Sequence, residues 1–253
     1  MLDDLNEMCI CSFLSARLSD GLAPHTVAKE RAQIVSLAND AARKRLVDEF
    51  VKIPSVSTPE LTPEAYKTEQ LTQLLDACQF STGFIGNAPA DVWWTALHYV
   101  FLFTGERTEA TLSLRWDWLE WDTGWLQVPA TVRKGKRKAK RYQLPSVAIA
   151  KLRLLRPYTE QMIFETHWKS HATGSFYYHY KKLLMRAGLP SGRKWKPQRL
   201  RRTFASYLEK EGGDATDALD HSSRRVTKQS YLDESICGKI SPSQIVNQAY
   251  KLT

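Results

Sequence analysis

Residues 88–105, APADVWWTALHYVFLFTG, are the stretch that most constrains the fold of this chain. Apolar side chains occur nearly all round a helix through these residues, and such a helix is expected to be buried. Its most apolar part, residues 92–103, is about half the length of a membrane-spanning helix and contains His98. Gly105, a residue type that often ends helices, closes the stretch. The pattern therefore predicts a central core helix.

A proline-containing segment divides the chain. Residues 52–64, KIPSVSTPELTPE, contain three prolines and cannot continue a helix, so we expect an extended linker. Helical patterns precede the segment, and longer ones follow it. The predicted divisions are a short helical segment over 1–52, a linker over 53–64 and a larger domain over 65–253.

The larger domain is predicted to be mainly helical with one small antiparallel β-sheet. A tight DTG turn within residues 117–132 indicates a hairpin, and residues 140–145 favour a further strand. Helical patterns cover most of the remainder: 63–78, 107–116, 146–156, 175–187, 199–211, 214–219 and 224–231.

The charge of the chain favours a polyanionic partner. The sequence has 36 basic and 27 acidic side chains, a formal net charge of +9. Nucleic acid is the commonest partner of such a surface, and an anionic membrane is the alternative. The N-terminus has acidic residues beside the initiator and does not resemble a secretory signal. We expect no membrane association and a cytoplasmic protein, associated with the nucleoid in a bacterial host.

Cysteine and histidine patterns do not predict a metal or a disulfide framework. The four cysteines lack paired spacing, which is typical of free thiols in a reducing compartment. His167 and His171 have a spacing that can bind zinc on a helix, but no cysteine or carboxylate cluster accompanies them. We therefore expect no metal and no cofactor.

Residues 133–141, RKGKRKAKR, contain seven basic residues out of nine and lie between two candidate strands. One interpretation is a solvated loop. The other is the tip of a β-ribbon that contacts DNA phosphates.

Three further stretches contain the candidate catalytic residues. TGER at 104–107 places Arg107 at the start of a helix, and QRLRRTFA at 198–205 places Arg201 at the edge of an apolar helix face. LDHSS at 219–223 contains His221, and Tyr231 follows that histidine by ten residues.

In this order and at these separations, the motifs resemble those of the tyrosine recombinases, the phage integrase family, over about residues 65–240. The resemblance implies that Tyr231 attacks a DNA phosphate and that Arg107 and Arg201 bind this phosphate. It implies that His221 either hydrogen-bonds the phosphate or assists proton transfer at Tyr231. It also implies a lysine on the hairpin that protonates the leaving oxygen; Lys134 aligns best and Lys136 is the alternative. The basic residues predicted to bind DNA are Arg133, Lys136, Arg137, Lys138, Lys140, Arg141 and Arg202.

The chain departs from the family pattern at three positions. Gln198, included among the candidate catalytic residues, stands where the family usually has histidine or lysine. Ala110 replaces the acid that usually follows the first arginine by three, so Glu109 or Glu106 is the alternative partner for Arg107. Asp220 replaces the usual glycine before the histidine.

The segments at the two ends of the chain correspond to parts that, in the family, clamp DNA and join subunits. About 50 residues precede the linker, so we expect only a partial form of the family's helical core-binding segment, which clamps DNA. Residues 241–252 predict a C-terminal helix that either packs on its own domain or docks on a neighbouring subunit. The resemblance implies double-stranded DNA attachment sites as partner and a tetramer on DNA.

The leading functional hypothesis is a site-specific recombinase, an integrase that cleaves and rejoins DNA through a 3′-phosphotyrosine without metal or ATP. A type IB topoisomerase shares this chemistry. A catalytically weakened or inactive DNA-binding protein on the same scaffold is the third hypothesis, and Gln198 is its main support.

Overall fold

The structure is a computed structural model that describes residues 6–47, 49–60, 62–166, 168 and 173–238. The chain divides into two compact units, residues 1–61 and residues 62–253. No helix in these described ranges is long and apolar enough to cross a membrane.

The first unit is a pair of helices, α1 (Glu7–Ser19) and α2 (Pro24–Arg43). The Asn6 side chain caps α1 by accepting a hydrogen bond from the Cys9 amide, and Pro24 suits the first turn of α2 because its ring presets the helical φ angle. The extended segment after α2 contributes to the small apolar core of this unit. That core contains Ile10, Leu14, Val27, Ala38, Val51 and Ile53.

Ile53 was predicted to begin a linker, and the structure buries it in the first unit. The segment is held there through its backbone, because Arg31 Nε donates to the Pro54 carbonyl oxygen at 2.7 Å. Its prolines exclude a helix, but the backbone carbonyls remain available as acceptors. The extended chain therefore packs on α2 before it reaches the second unit.

The second unit is mainly helical, as the sequence predicts. Its helices are α3 (Thr68–Gln79), α4 (Ala90–Thr104), α5 (Thr108–Leu112), α6 (Ser146–Leu155), α7 (Thr173–Arg186), α8 (Gln198–Lys210), α9 (Ala215–Ala218), α10 (Arg224–Tyr231) and α11 (Glu234–Cys237). Short 3₁₀ turns occur at Trp116–Trp118, Ala130–Val132, Arg156–Tyr158 and Arg193–Trp195.

Helix α4 is the core helix that the apolar stretch predicted. Trp93, Leu97 and Val100 on this helix have no exposed surface, and α3, α6 and α8 pack around it. The helix ends at Gly105, which has a φ of 60°. A Cβ at this glycine would lie 2.4 Å from the Phe204 ring. The glycine thus permits both the left-handed turn and the close approach of α8.

The sheets are small and antiparallel. Strands β1 (Phe84–Ile85) and β2 (Ala88–Pro89) pair with each other, and β3 (Trp125–Val128) pairs with β4 (Lys140–Gln143). The predicted strand before the DTG turn forms only one bridge, between Leu119 and Leu126, because a 3₁₀ turn occupies Trp116–Trp118. The basic run connects β3 to β4, so it forms the tip of a hairpin.

Candidate active site

Arg201 is the buried centre of the site. It lies on the buried face of α8, and only 1% of the residue is exposed. Its Nη1 donates to the Gly105 carbonyl oxygen at 2.6 Å, and its Nη2 donates to the Leu219 carbonyl oxygen at 3.0 Å. Its Nε is buried and has no hydrogen-bond partner among the described residues. The guanidinium therefore joins the turn before Arg107 to the turn before His221.

His221 follows a turn in which Asp220 adopts a left-handed φ of 50°. Aspartate tolerates this conformation better than most residues, which explains how it can stand where the family usually has glycine. The His221 amide donates to the Thr216 carbonyl oxygen at 3.0 Å, which completes the turn after α9. Asp220 thus supports a left-handed turn at this position without a glycine.

The His221 ring is held at both nitrogens. Nδ1 lies 2.9 Å from Thr227 Oγ1, and Nε2 lies 3.3 Å from Arg201 Nη2. Because arginine only donates, Nε2 is assigned as the acceptor and Nδ1 as the protonated nitrogen. Burial, followed by the charges of Arg201 and Arg107, lowers the pKa of His221 from 6.5 to about 4. The ring is therefore neutral at pH 7.

Tyr231 is the last residue of α10, which begins where the Ser223 side chain accepts from the Val226 amide. The Tyr231 ring centroid lies 4.3 Å from that of His221. Gln198 Nε2, on the first residue of α8, donates to Tyr231 Oη at 3.2 Å. This bond leaves the phenol proton free to be donated elsewhere.

Arg107 stands at the N-cap position of α5 and lines an open cleft of about 540 Å³. His221 lines the same cleft, together with the hairpin residues Lys134 and Arg137. The cleft thus brings together Lys134, a predicted proton donor, with Arg107 and His221, which are predicted to act at the phosphate. The other candidate, Lys136, is exposed on the hairpin and is not among the residues that line this cleft.

Arg133 differs from the expectation of a surface DNA contact, since the structure places it inside the protein. Its residue surface is only 7% exposed, and its Nε donates to Glu106 Oε1 at 2.6 Å. Its Nη2 forms an ion pair with Asp220 Oδ2 at 2.7 Å, and its Nη1 donates to the Lys138 carbonyl oxygen at 3.0 Å. These contacts occupy the guanidinium, so Arg133 is not available to a phosphate in this structure.

The other predicted DNA-binding residues lie nearer the surface, several with protein partners. Lys138 Nζ donates to Asp220 Oδ1 at 3.1 Å, while Lys140 Nζ donates to the Asp217 carbonyl oxygen at 2.6 Å. Arg141 pairs with Glu120 at 3.0 Å and stacks over Trp125. The half-buried Arg202 donates from Nε to the Ser230 carbonyl oxygen at 3.2 Å.

The structure also identifies residues that the sequence reasoning did not assign to the site. Glu106 was considered as a partner of the Arg107 side chain, but its carboxylate pairs with Arg133 and accepts from Tyr142 Oη at 2.7 Å. Thr227 holds the His221 ring, and only its place one helical turn before Tyr231 hinted at an inward position. Asp220 was visible in the sequence as a departure, yet its partners are distant in sequence.

Among the described residues, no group of three or more histidine, cysteine or acidic side chains could hold a metal ion. His167 and His171, which have a zinc-compatible spacing, lie outside the described residues. The predicted C-terminal helix at 241–252 also lies outside them.

Comparison with known proteins identifies the family. The phage integrase family profile matches residues 65–236, more than half of the chain. The chain belongs to this family. No curated protein matches the chain at a significant level.

Solved structures of tyrosine recombinases share the fold. The Tn1549 transposon integrase, solved with a circular intermediate DNA, superposes with a TM-score of 0.73 at 10% identity, over 99% of this chain and 86% of that chain. XerH recombinase, bound to a palindromic difH substrate, gives 0.70 at 19% identity, over 98% and 72%. The catalytic domain of bacteriophage HP1 integrase gives 0.52 at 16% identity, over 74% and 94%.

Proposed function

We propose that this chain is a site-specific DNA recombinase that cleaves and rejoins DNA strands through a 3′-phosphotyrosine intermediate, and that it acts as an integrase. The observation that carries the proposal is the joint position of Arg201, His221, Gln198 and Tyr231. The tyrosine ring packs on the histidine, the histidine contacts the arginine, and the glutamine binds the tyrosine oxygen. Membership of the phage integrase family supports the same reading.

In the proposed reaction, Tyr231 Oη forms a bond to the scissile phosphorus, and the bond from phosphorus to the 5′-oxygen breaks. Negative charge grows on the non-bridging oxygens during this step, and Arg107 and Arg201 stabilise it. The unpaired Nε–H of Arg201 is one donor that suits a phosphate oxygen. His221 is neutral, and its Nε2 accepts from Arg201 Nη2 in the structure. When Arg201 turns this donor to the phosphate, the Nε2 lone pair is released, and the phosphate charge offsets the arginine charges that lower the pKa of His221. Nε2 then takes the phenol proton as Tyr231 attacks.

The leaving 5′-oxygen takes a proton from a lysine of the hairpin, and Lys134 is the proposed donor because it lines the cleft. The phosphotyrosine keeps the energy of the broken phosphodiester. Attack by a 5′-hydroxyl therefore reverses the step without ATP, and the two arginines supply the charge that a metal would otherwise supply.

Gln198 donates to Tyr231 Oη and is proposed to hold this oxygen for attack. Unlike the histidine or lysine usual in the family, it carries no charge and exchanges no proton at ordinary pH. This substitution favours the second candidate function, a DNA-binding protein on a recombinase scaffold with weak or no cleavage activity.

Double-stranded DNA is the proposed partner. The net charge of +9 supports attraction to the backbone, and the exposed Lys134, Lys136 and Arg137 place positive charge at the hairpin tip. The structural neighbours solved with DNA are consistent with this partner. We also propose that the protein forms a tetramer on its sites, with the C-terminal tail as a contact between subunits, and acts at the nucleoid.

A nicked suicide substrate tests the function. Loss of a short 5′ fragment after cleavage prevents religation, so a covalent protein–DNA adduct accumulates and is resolved by denaturing electrophoresis. We expect an adduct with a 3′ linkage that is absent in Tyr231→Phe and unchanged in Tyr207→Phe, a matched control whose hydroxyl bonds Thr68. Specific binding without an adduct would leave the DNA-binding candidate, and relaxation of plasmids lacking any specific site would favour a topoisomerase.

A further inference from the structure

Three charged side chains connect the hairpin to the candidate active site. Arg133, near the base of the hairpin, lies between the carboxylates of Glu106 and Asp220, with contacts at 2.6 and 2.7 Å. We call this arrangement the Glu106–Arg133–Asp220 bridge. The side-chain exposures are 6% for Arg133, 2% for Glu106 and 17% for Asp220, so solvent screens these contacts weakly.

Each carboxylate of the bridge immediately precedes a candidate catalytic residue. Glu106 precedes Arg107, and its Oε2 accepts from the Arg107 amide at 3.2 Å. Asp220 precedes His221 and lies in the left-handed turn that orients that histidine. Because Arg133 Nη1 also donates to the Lys138 carbonyl oxygen, the bridge joins the segments of Arg107, His221 and the hairpin.

Asp220 makes further contacts with the returning arm of the hairpin. Its Oδ1 lies 3.1 Å from Lys138 Nζ and 3.6 Å from Lys140 Nζ. Burial acts to raise the pKa of the Asp220 carboxyl, but its contacts with Arg133 and Lys138 and the charge of Lys140 outweigh burial and lower it. A glycine here would permit the same positive φ and would remove every one of these contacts.

We propose that Asp220 and Arg133 are positioning residues, which hold the hairpin against the His221 turn so that Lys134 faces the cleft before DNA binds. This role replaces the predicted DNA contact of Arg133. The consequence for cleavage rests on the proposed recombinase function, whereas the consequence for the hairpin does not. Without the Asp220 carboxylate, Arg133 keeps only Glu106 as a charged partner, and the returning arm loses its anchor.

Limited trypsin digestion tests the position of the hairpin, since residues 133–141 contain seven basic residues at which trypsin cleaves. Asp220→Asn and Asp220→Gly both allow positive φ and remove the charge. We expect cleavage within 133–141 to be about tenfold faster in both, which corresponds to about 1.4 kcal/mol in the opening of the hairpin. The matched control is Asp217→Asn, an exposed aspartate whose backbone carbonyl still accepts from Lys140.

The second measurement separates positioning from general loss of structure. On the nicked substrate, we expect both Asp220 variants to form adduct about tenfold more slowly, with DNA binding equal to or tighter than wild type because a negative charge is removed. A trypsin rate in Asp220→Asn equal to that of wild type would overturn the proposal. So would failure of both variants to fold, which would make Asp220 an ordinary structural residue.

The two proposals fail separately. If the wild type forms no adduct, the recombinase function fails, and faster trypsin cleavage of both Asp220 variants still supports the attachment of the hairpin. If the wild type forms adduct and both variants match its rate and its trypsin pattern, the recombinase function stands and the positioning role fails.

Discussion

Replacing Arg201 by lysine tests whether the site depends on a planar guanidinium rather than on a positive charge. Arg201 donates to the carbonyl oxygens of Gly105 and Leu219 and contacts His221 Nε2. A lysine ammonium is a single point on a flexible stem and cannot reach these separate acceptors together. At least one buried carbonyl would therefore lose its donor, which costs about 1–3 kcal/mol of folding stability.

The effect on chemistry is expected to exceed the effect on stability. Loss of one preorganised donor to the developing phosphate charge lowers the cleavage rate by about 10²–10³-fold. DNA affinity should stay within about threefold, because lysine retains the positive charge of Arg201. A threefold change corresponds to well under 1.4 kcal/mol. Stability is measured by thermal unfolding, binding by fluorescence anisotropy, and cleavage by single-turnover adduct formation.

Arg186→Lys is the matched control, since the exposed Arg186 donates from Nη1 to Ser81 Oγ at 3.0 Å and lies outside the site. It should leave the adduct rate unchanged. An Arg201→Lys rate within about threefold of wild type, with normal folding, would refute the reasoning, because it would mean that charge alone supports the reaction.

Three further predictions follow from the site. Gln198→Glu replaces a donor to Tyr231 by a carboxylate that repels negative charge on Oη and on the phosphate. Adduct formation should slow at least about tenfold, with DNA binding equal to or weaker than that of wild type. Lys134→Ala should slow cleavage by about 10²–10⁴-fold. A substrate with a 5′-bridging sulfur, whose leaving thiolate needs no proton, should rescue this variant, whereas rescue of Lys136→Ala instead would reassign the proton donor. The pKa of His221 is 6.5 when unfolded and about 4 when folded, so the unfolded chain takes up the proton first as pH falls. The folding stability that depends on neutral His221 should therefore be lost as the pH falls from 6.5 to about 4. His221→Gln should reduce this loss when thermal unfolding is measured against pH. A loss of the same size in His221→Gln would contradict the lowered pKa of His221.

Local sequence patterns predicted much of the fold and part of the site. The buried helix α4 follows from an apolar stretch that has no polar face, and α10 spans residues 224–231 as expected. The motifs also placed Arg107 at a helix start and His221 in a turn, because both features depend on local residues. The strand before the DTG turn was less predictable, since pairing in a sheet depends on partners elsewhere in the chain.

The basic hairpin shows where sequence reasoning reached its limit. Seven basic residues in a run of nine predict either a solvated loop or a surface that contacts DNA, and both place Arg133 in solvent, yet Arg133 is buried between two carboxylates. The residues adjacent in sequence do not distinguish Arg133 from Lys134. A charged side chain is buried only where the fold places an opposite charge beside it. Here those charges lie 27 and 87 positions away along the chain, at Glu106 and Asp220.

The sequence by itself determined the helical character of the larger unit, its net charge and the residue types of the proposed phosphate chemistry. These properties depend on composition and on periodicities of a few residues, which act before any distant contact forms. Only the tertiary structure decided that Gln198 binds Tyr231, that Thr227 holds His221 and that Asp220 pairs with Arg133. Those assignments depend on contacts between elements that are distant in sequence. Helix α8 packs against α4, α9 and α10, and this packing brings the turns at Gly105 and Leu219 to Arg201.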